Sequence, residues 1–276
     1  MTRISLLILT FSLQFSLLLS QSFSVVSWNI QNLGRTKDDA EIKIMADILK
    51  EHDLVAIQEV VGKDPAGAQA VARIVDELNR SGSRWDYRIS LPTKSPSSYI
   101  SERYAILWKP SRLDLIGSPY LDKELADKIY REPFLAKFRV KKGRKSTFFH
   151  LINFHARRFD QKPEEEIQYF IDYVERLGSR SFIIAGDFNL DEKHKVWRKL
   201  YRKGFLSALE NVPTTLKRKC KRGNYFNHSI DNVYFSSYHM LLRKSGRIDF
   251  VPSCRRLKQA RGISDHVPVF AKLEVR

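Results

Sequence analysis

Five short polar segments stand out along this chain, each at the end of an apolar, strand-like run. They are Ser27-Trp28-Asn29-Ile30-Gln31-Asn32, Ile57-Gln58-Glu59-Val60, Asn153-Phe154-His155-Ala156, Gly186-Asp187-Phe188-Asn189 and Ser264-Asp265-His266. Between them they offer carboxylates, carboxamides and two imidazoles. Oxygen ligands suit a hard cation such as Mg²⁺, and paired imidazoles can give and take protons near neutral pH. That is the inventory for hydrolysing a phosphate ester. In Gly186-Asp187-Phe188-Asn189, strand alternation would put Asp187 and Asn189 on one face with Phe188 packed behind them. The glycine would let a neighbouring backbone approach closely. The same residues also suit a strand-to-loop turn. Glu59 ends a run so apolar that an unpartnered carboxylate there would be costly, which makes it a candidate cation ligand. Asn29 closes Val25-Val26-Ser27-Trp28 in the same manner, able to ligate metal or to orient phosphate. His155 and His266 are the acid–base candidates. A carboxylate behind each would hold its ring, and Glu102 and Asp231 are available for that role.

Rigid elements must place these groups. Strands and helices alternate from Phe23 onward with no linker long enough to divide the chain, so residues 23–276 read as a single α/β domain. Asp38 or Asp39 can cap a helix carrying Ile42, Met45, Ile48 and Leu49. Leu54-Val55-Ala56-Ile57 reads as a buried strand delivering Glu59, and Val71, Ile74, Val75 and Leu78 line one face of a second helix. Further strands are expected over 87–91, 104–108, 134–140 and 147–154. Pro163 opens a helix that Ile167, Phe170, Ile171, Val174 and Leu177 continue to near Gly178. Phe182-Ile183-Ile184-Ala185 is a strand of the fully buried type. Strands over 230–235 and 267–273 complete the pattern.

Arg3, the apolar stretch from Ile4 to Leu19 and the small or polar Ser20-Gln21-Ser22 together describe a secretory leader over residues 1–22. Cleavage is expected between Ser20 and Phe23. A membrane anchor is the alternative, but the run falls short of the roughly 20 residues that a span needs. The expectation is a secreted or periplasmic monomer with no integral membrane segment in its mature form. An oxidising compartment would let Cys220 and Cys254 pair. The net charge of +17 is concentrated: from Lys193 to Arg261 there are eighteen Lys and Arg against three Asp and Glu. Such a field favours polyanions. Its clusters flank the polar segments instead of forming a tail, which points to a nucleic-acid partner, DNA or RNA.

In this order the segments resemble the endonuclease/exonuclease/phosphatase superfamily over Phe23 to Leu273. Glu102-Arg103-Tyr104 and Arg131-Glu132-Pro133-Phe134 are similar to its deoxyribonuclease I branch. The resemblance implies a two-sheet β-sandwich flanked by helices, four layers in the order α/β/β/α. It implies that His155 and His266 are the acid–base pair, supported by Glu102 and Asp231. Glu59, Asp187 and Asp265 would hold the divalent cation, Mg²⁺ or Mn²⁺, while Arg131, Asn29 and Asn189 contact the scissile phosphate. Products would carry 5′-phosphates. Two stretches depart from the branch. Asp122 to Tyr130 lacks the cysteine of its small disulfide loop, and Pro213 to Lys221 is basic where acidic calcium ligands would lie. Structural Ca²⁺ is therefore not expected. Cys220 falls where the family's longer disulfide has one half, while Cys254 has no obvious match to the other.

The expected function is that of a secreted, divalent-metal-dependent endonuclease hydrolysing DNA with low sequence specificity. The alternative on the same fold is a secreted phospholipid phosphodiesterase of the sphingomyelinase type, which would need an exposed aromatic hairpin not identified in the sequence. A non-catalytic binding protein is a third reading. Against it, every catalytic position that can be placed carries a competent residue.

Overall fold

In the computed structural model, which describes residues 22–97, 101–141 and 147–276, the chain builds two six-stranded sheets and a separate two-stranded hairpin. The expected leader lies outside the described residues save for Ser22, which opens the first strand. One sheet has the order β13 (Met240–Arg247), β14 (Val269–Val275), β1 (Ser22–Leu33), β2 (Leu54–Val61), β4 (Glu102–Trp108), β3 (Asp86–Ile89). The other has the order β5 (Leu113–Leu121), β6 (Phe134–Val140), β7 (Thr147–His155), β8 (Phe182–Asp187), β12 (Asp231–Ser236), β9 (Phe205–Ser207). The hairpin pairs β10 (Leu216–Lys221) with β11 (Asn224–Phe226).

Each large sheet has one parallel pair at its centre, β1 with β2 and β7 with β8, and the other ladders are antiparallel. A parallel pair needs a crossover. In the first sheet that is α1 (Asp39–Leu49). Asp38 caps it in a capping box: its carboxylate accepts the Glu41 N–H at 2.8 Å, and the Glu41 side chain accepts the Asp38 N–H at 3.2 Å. In the second sheet it is the segment holding α3 (Glu164–Ile167) and α4 (Tyr173–Arg176). The expected continuous helix from Pro163 to Gly178 is instead these two single turns joined by a 3₁₀ stretch, Gln168–Asp172. Glu166 in the first turn is fully buried, where its carboxylate accepts the N–H groups of Tyr130 and Arg157. That ties the first turn to neighbouring loops, separately from the second.

Strand alternation sorts the apolar residues into layers. Val25, Leu54, Ala56, Ile183 and Ala185 point into the space between the sheets. Val26, Trp28, Val55 and Ile57 point outward onto α1 and α2 (Pro65–Arg80). Phe182 and Ile184 point outward on the other side, against Phe170, Tyr173, Trp197 and Leu200 of α5 (Arg198–Arg202). The result is the four-layer α/β/β/α sandwich. Towards the carboxyl ends of the parallel strands the inter-sheet layer turns polar. There Gln58 of β2 donates to Asn153 Oδ1 of β7 at 2.7 Å, and the Asn153 amide donates to the carbonyls of Ile57 and Ala105 at 3.1 Å each. Both side chains are fully buried, so these bonds lock one sheet to the other.

Candidate active site

The four central parallel strands deliver Asn29, Glu59, His155 and Asp187 at or near their carboxyl ends. Local backbone accounts for the aim of several. Glu59 has φ 60° inside a register shift of β2 against β4, a bulge that turns its side chain out of the strand's alternation. Asn32 and Asn189 are also left-handed, with φ of 52° and 51°. Such conformations cost on the order of 1 kcal/mol each and concentrate at functional sites. Gly186 is required by close approach: a Cβ there would lie 1.9 Å from the Phe154 carbonyl oxygen. The alternation expected through Asn189 stops at Asp187, where β8 ends. Asn189 lies beyond the strand and donates its N–H to Asp187 Oδ1 at 3.0 Å, a turn that leaves Phe188 fully buried. The fifth polar segment also differs from expectation. Ser264-Asp265-His266 does not close a strand but links α6 (Leu257–Ile263) to β14. Because β14 runs antiparallel to β1, its start meets the end where β1 delivers Asn29.

Two histidine–carboxylate pairs face each other across Asp187. His155 Nδ1 is 2.9 Å from Glu102 Oε2, and His266 Nδ1 is 2.8 Å from Asp231 Oδ2. The opposite nitrogens converge, His155 Nε2 at 3.6 Å and His266 Nε2 at 3.7 Å from the same Asp187 Oδ2. Each pair has one member from each sheet's side of the sandwich. Asn29 Nδ2 donates to Glu59 Oε1 at 2.9 Å and to Asp187 Oδ2 at 3.0 Å. Arg131 Nε lies 3.2 Å from Glu102 Oε2, and its Nη1 donates to the Ala156 carbonyl at 3.3 Å. The Asn189 amide donates to that same carbonyl at 3.4 Å. Asp265 stands at the margin, where Oδ2 accepts from Gln31 Nε2 at 3.2 Å and lies 3.6 Å from Arg261.

Burial opposes charge on His266, but Asp231 and Asp187 outweigh it and push its pKa up to about 10. Burial likewise opposes charge on His155, and Glu102 outweighs it, so that pKa is raised too. Glu102 would be lifted by burial, yet His155 and Arg131 hold it below the usual carboxylate range. Asp187 goes the other way: burial, with Asp231 nearby, raises its pKa despite the two histidines.

Among the described residues, Asp187, Asp231 and His266 bring ligand-type atoms within 4.8 Å of one another. Asp231 is already committed to His266 Nδ1 and to the Thr214 hydroxyl, 2.6 Å away. The group formed by Asn29, Glu59 and Asp187 has a different character. The Asn29 Oδ1 is buried without a hydrogen-bond partner while its Nδ2 serves two carboxylates, leaving an oxygen lone pair unused beside them. An orphaned oxygen next to two carboxylates fits a hard divalent cation.

Several residues support the site in ways that the sequence alone does not assign. Thr214, fully buried, accepts the N–H groups of Ile230 and Asp231 and donates to the Asp231 carboxylate. Ser264 Oγ donates to the Asn29 carbonyl at 2.7 Å and accepts the His266 N–H at 3.0 Å. Trp28 Nε1 donates to the His266 carbonyl at 3.0 Å. The Tyr104 hydroxyl accepts the His155 N–H at 3.2 Å.

The sequence matches the Endonuclease/Exonuclease/phosphatase family over residues 26–266. A deoxyribonuclease from Thioalkalivibrio sp. (strain K90mix) is 28% identical over 269 residues, covering 91% of this chain and 70% of that protein. The deoxyribonuclease-1-like 1 protein of Sus scrofa is 28% identical over 266 residues, covering 92% of this chain and 82% of its own. Among solved structures, an endonuclease/exonuclease/phosphatase family protein from Bacteroides thetaiotaomicron superposes with a TM-score of 0.65 at 17% identity, covering 92% of this chain and 98% of that one. A mannosyl-6-phosphatase of the same organism superposes with a TM-score of 0.63 at 15% identity, covering 91% and 99%.

Proposed function

The chain belongs to the endonuclease/exonuclease/phosphatase family, and from that premise we propose that it is an exported, divalent-metal-dependent endonuclease hydrolysing DNA phosphodiesters with little sequence preference. The observation that carries the reading is the pair of imidazoles, each backed by a carboxylate from across the sandwich and aimed at Asp187. One imidazole takes a proton from the attacking water, and the other gives a proton to the leaving 3′-oxygen. Glu102 and Asp231 fix the rings and tautomers through Nδ1, so that Nε2 faces the reacting atoms. Asn29, Glu59 and Asp187 are the residues to hold Mg²⁺ or Mn²⁺, with Asp265 close enough to reinforce the negative field. The cation, when bound, supplies positive charge to a phosphate oxygen that becomes more negative as phosphorus is attacked. Arg131, steadied by Glu102, and the Asn189 amide orient the phosphate from the His155 side.

Two relatives named as deoxyribonucleases support DNA as substrate, and the basic C-terminal third supports a polyanion. Cations that meet phosphates without reading base edges give weak sequence preference. We read residues 23–276 as one catalytic domain behind a cleaved leader. Among the described residues, no helix is long and apolar enough to cross a membrane.

The test is a comparison of plasmid DNA, RNA and sphingomyelin, each incubated with purified protein in Mg²⁺ or in EDTA. His155→Ala and His266→Ala run alongside. Mg²⁺-dependent nicking of the plasmid, lost in both variants, is the expected result. Hydrolysis of sphingomyelin with the plasmid left intact would overturn DNA as the substrate.

A further inference from the structure

Outside the two large sheets, the C-terminal third builds a frame that the hydrolytic chemistry does not account for. Hairpin β10–β11 turns at Arg222-Gly223, whose φ values of 50° and 81° are the paired left-handed conformation of a tight two-residue turn. Cys220, next to that tip, is disulfide-bonded to Cys254, which opens the 3₁₀ turn leading into α6. Both limbs return to the active site. At the hairpin root Thr215 bridges to His266, and the Leu216 N–H donates to the Asp265 carbonyl at 2.7 Å. On the other limb α6 runs directly into Ser264, and Lys37 Nζ clasps the carbonyls of Gly262 and Ile263 at 2.8 Å each.

Between the limbs sits a core of its own, with Leu216, Val251, Leu257, Ala260 and Val267 buried and Tyr225 and Phe226 packed against them. Five buried residues make a thin core, and the disulfide braces it by closing the loop between β10 and α6. The outer surface carries Arg218, Lys219, Lys221 and Arg222 on the hairpin and Arg255 and Arg256 on the helix limb, all exposed. Among the described residues, no carboxylate pairs with any of these. The acids nearby are engaged elsewhere, Asp249 by the Tyr225 hydroxyl at 2.6 Å and Asp265 by Gln31 and Arg261. Clustered like charges repel one another, so the frame suits a partner bearing closely spaced negative charges.

We propose that the hairpin–α6 frame is a docking surface for the phosphate backbone of duplex DNA, gripping it to one side of the cleft and several base pairs from the bond being cut. This rests on reading the cleft as a nuclease site. From Leu216 to the tip the strand extends at most about 20 Å, a length equal to about six base-pair steps of the duplex axis. A membrane surface fits less well, because an inserting frame would present apolar side chains beside its cations. Here Phe226 is half-buried with the Arg247 guanidinium 3.4 Å from its ring centre, and the Tyr225 hydroxyl is tied to Asp249.

Fluorescence anisotropy in EDTA tests this with labelled duplexes of about 30 and about 8 base pairs. The wild type is compared with a triple variant, Arg218→Glu, Lys219→Glu and Arg222→Glu. A control of equal charge change carries Lys123→Glu, Lys137→Glu and Lys272→Glu, all exposed and outside the Lys193–Arg261 field. A Gln version of the frame variant covers the case in which the Glu set unfolds, read from its Tm. We expect the frame variant to weaken binding of the long duplex at least tenfold. Its slope of log K against log salt should shrink by about three, with a smaller effect on the short duplex. The control should stay within about twofold of wild type. Equal losses in frame and control variants would overturn the proposal, as would unchanged affinity of the frame variant for the long duplex. Loss of binding to phosphatidylserine vesicles with DNA binding intact would likewise overturn it, in favour of lipid. Wild-type protein that binds the long duplex through the frame yet fails to nick it in Mg²⁺ would keep this proposal and remove the nuclease reading.

Discussion

Asp122 and Asp187 are equally buried, each 2% exposed, but their surroundings treat the charge in opposite ways. At Asp122 the Tyr173 hydroxyl donates at 2.6 Å, and Arg176 grips both carboxylate oxygens at 2.7 Å. Burial alone would lift its pKa, but Arg176 and Tyr173 hold it below the usual carboxylate range. Asp187 receives the Asn29 amide and the Asn189 N–H, while the two imidazole nitrogens stay at 3.6 and 3.7 Å, too far for hydrogen bonds. Its pKa is raised by burial. The contrast separates two uses of a buried carboxylate. Where strong donors engage both oxygens, the charge holds the fold. Where burial is kept and donors stop short, the carboxylate is left with capacity for a ligand.

The largest expected effect tests the second half of that contrast. Asp187→Asn should lower DNA nicking by about four orders of magnitude. Its Tm in EDTA should be no lower than that of the wild type, because a poorly satisfied buried charge has been removed. A large fall in Tm, seen by calorimetry, would break the comparison. Asp122→Asn should do the reverse, costing about 1–3 kcal/mol in urea unfolding by weakening the bonds from Tyr173 and Arg176, although Arg176 keeps Glu124 at 2.8 Å. Nicking per folded molecule should be unchanged. Because Asp122 titrates lower in the folded chain than in the unfolded one, its contribution is full above about pH 4 and fades as pH falls through the folded value. Unfolding curves of wild type and variant should therefore converge in acid.

A smaller effect is expected at Thr214. Thr214→Val keeps the shape but removes the hydroxyl from Asp231, a hydrogen bond to a charged group worth about 1.5–3 kcal/mol. We expect a loss of about tenfold or more in kcat with KM for DNA little changed, and recovery in Thr214→Ser. A rise in KM alone would mean that Thr214 shapes binding instead of holding Asp231. The smallest effect is at Asn189, whose φ is 51°. Asn189→Gly should leave stability within about 1 kcal/mol of wild type while removing the amide that orients the phosphate, with a modest loss of kcat/KM.

Much of the interior was legible because a strand buried on both faces is written as an unbroken apolar run. Leu54 to Ile57 and Phe182 to Ala185 are of this kind, and both lie in observed strands. The edge strands were not legible. β5 contains Gly117 and Pro119, and β13 ends in Arg243-Lys244-Ser245-Gly246-Arg247, compositions that suit one-sided exposure and read as loop. The candidate site was legible as residue types, because an acid or amide against an apolar strand demands a partner. Its supports were not. Gln58 and Asn153 meet across 95 positions, and Thr214 reaches Asp231 from a loop with no regular pattern. Their roles exist only once the sheets are stacked. The backbone twists at Glu59 and Asn189 were hidden for a related reason, since neither residue type requires a left-handed conformation.

The two histidine–carboxylate pairs straddle the sandwich, with Glu102 and His266 contributed from one sheet's side and His155 and Asp231 from the other's. The two pairs therefore exist only once the sheets are stacked. An expanded intermediate that had formed both sheets but not stacked them would keep its far-ultraviolet signature and have no reactive centre. On the proposed nuclease reading, such a dependence on completed packing is a built-in delay. On that reading an unfolded chain would spare DNA, and hydrolysis would begin only where folding ends.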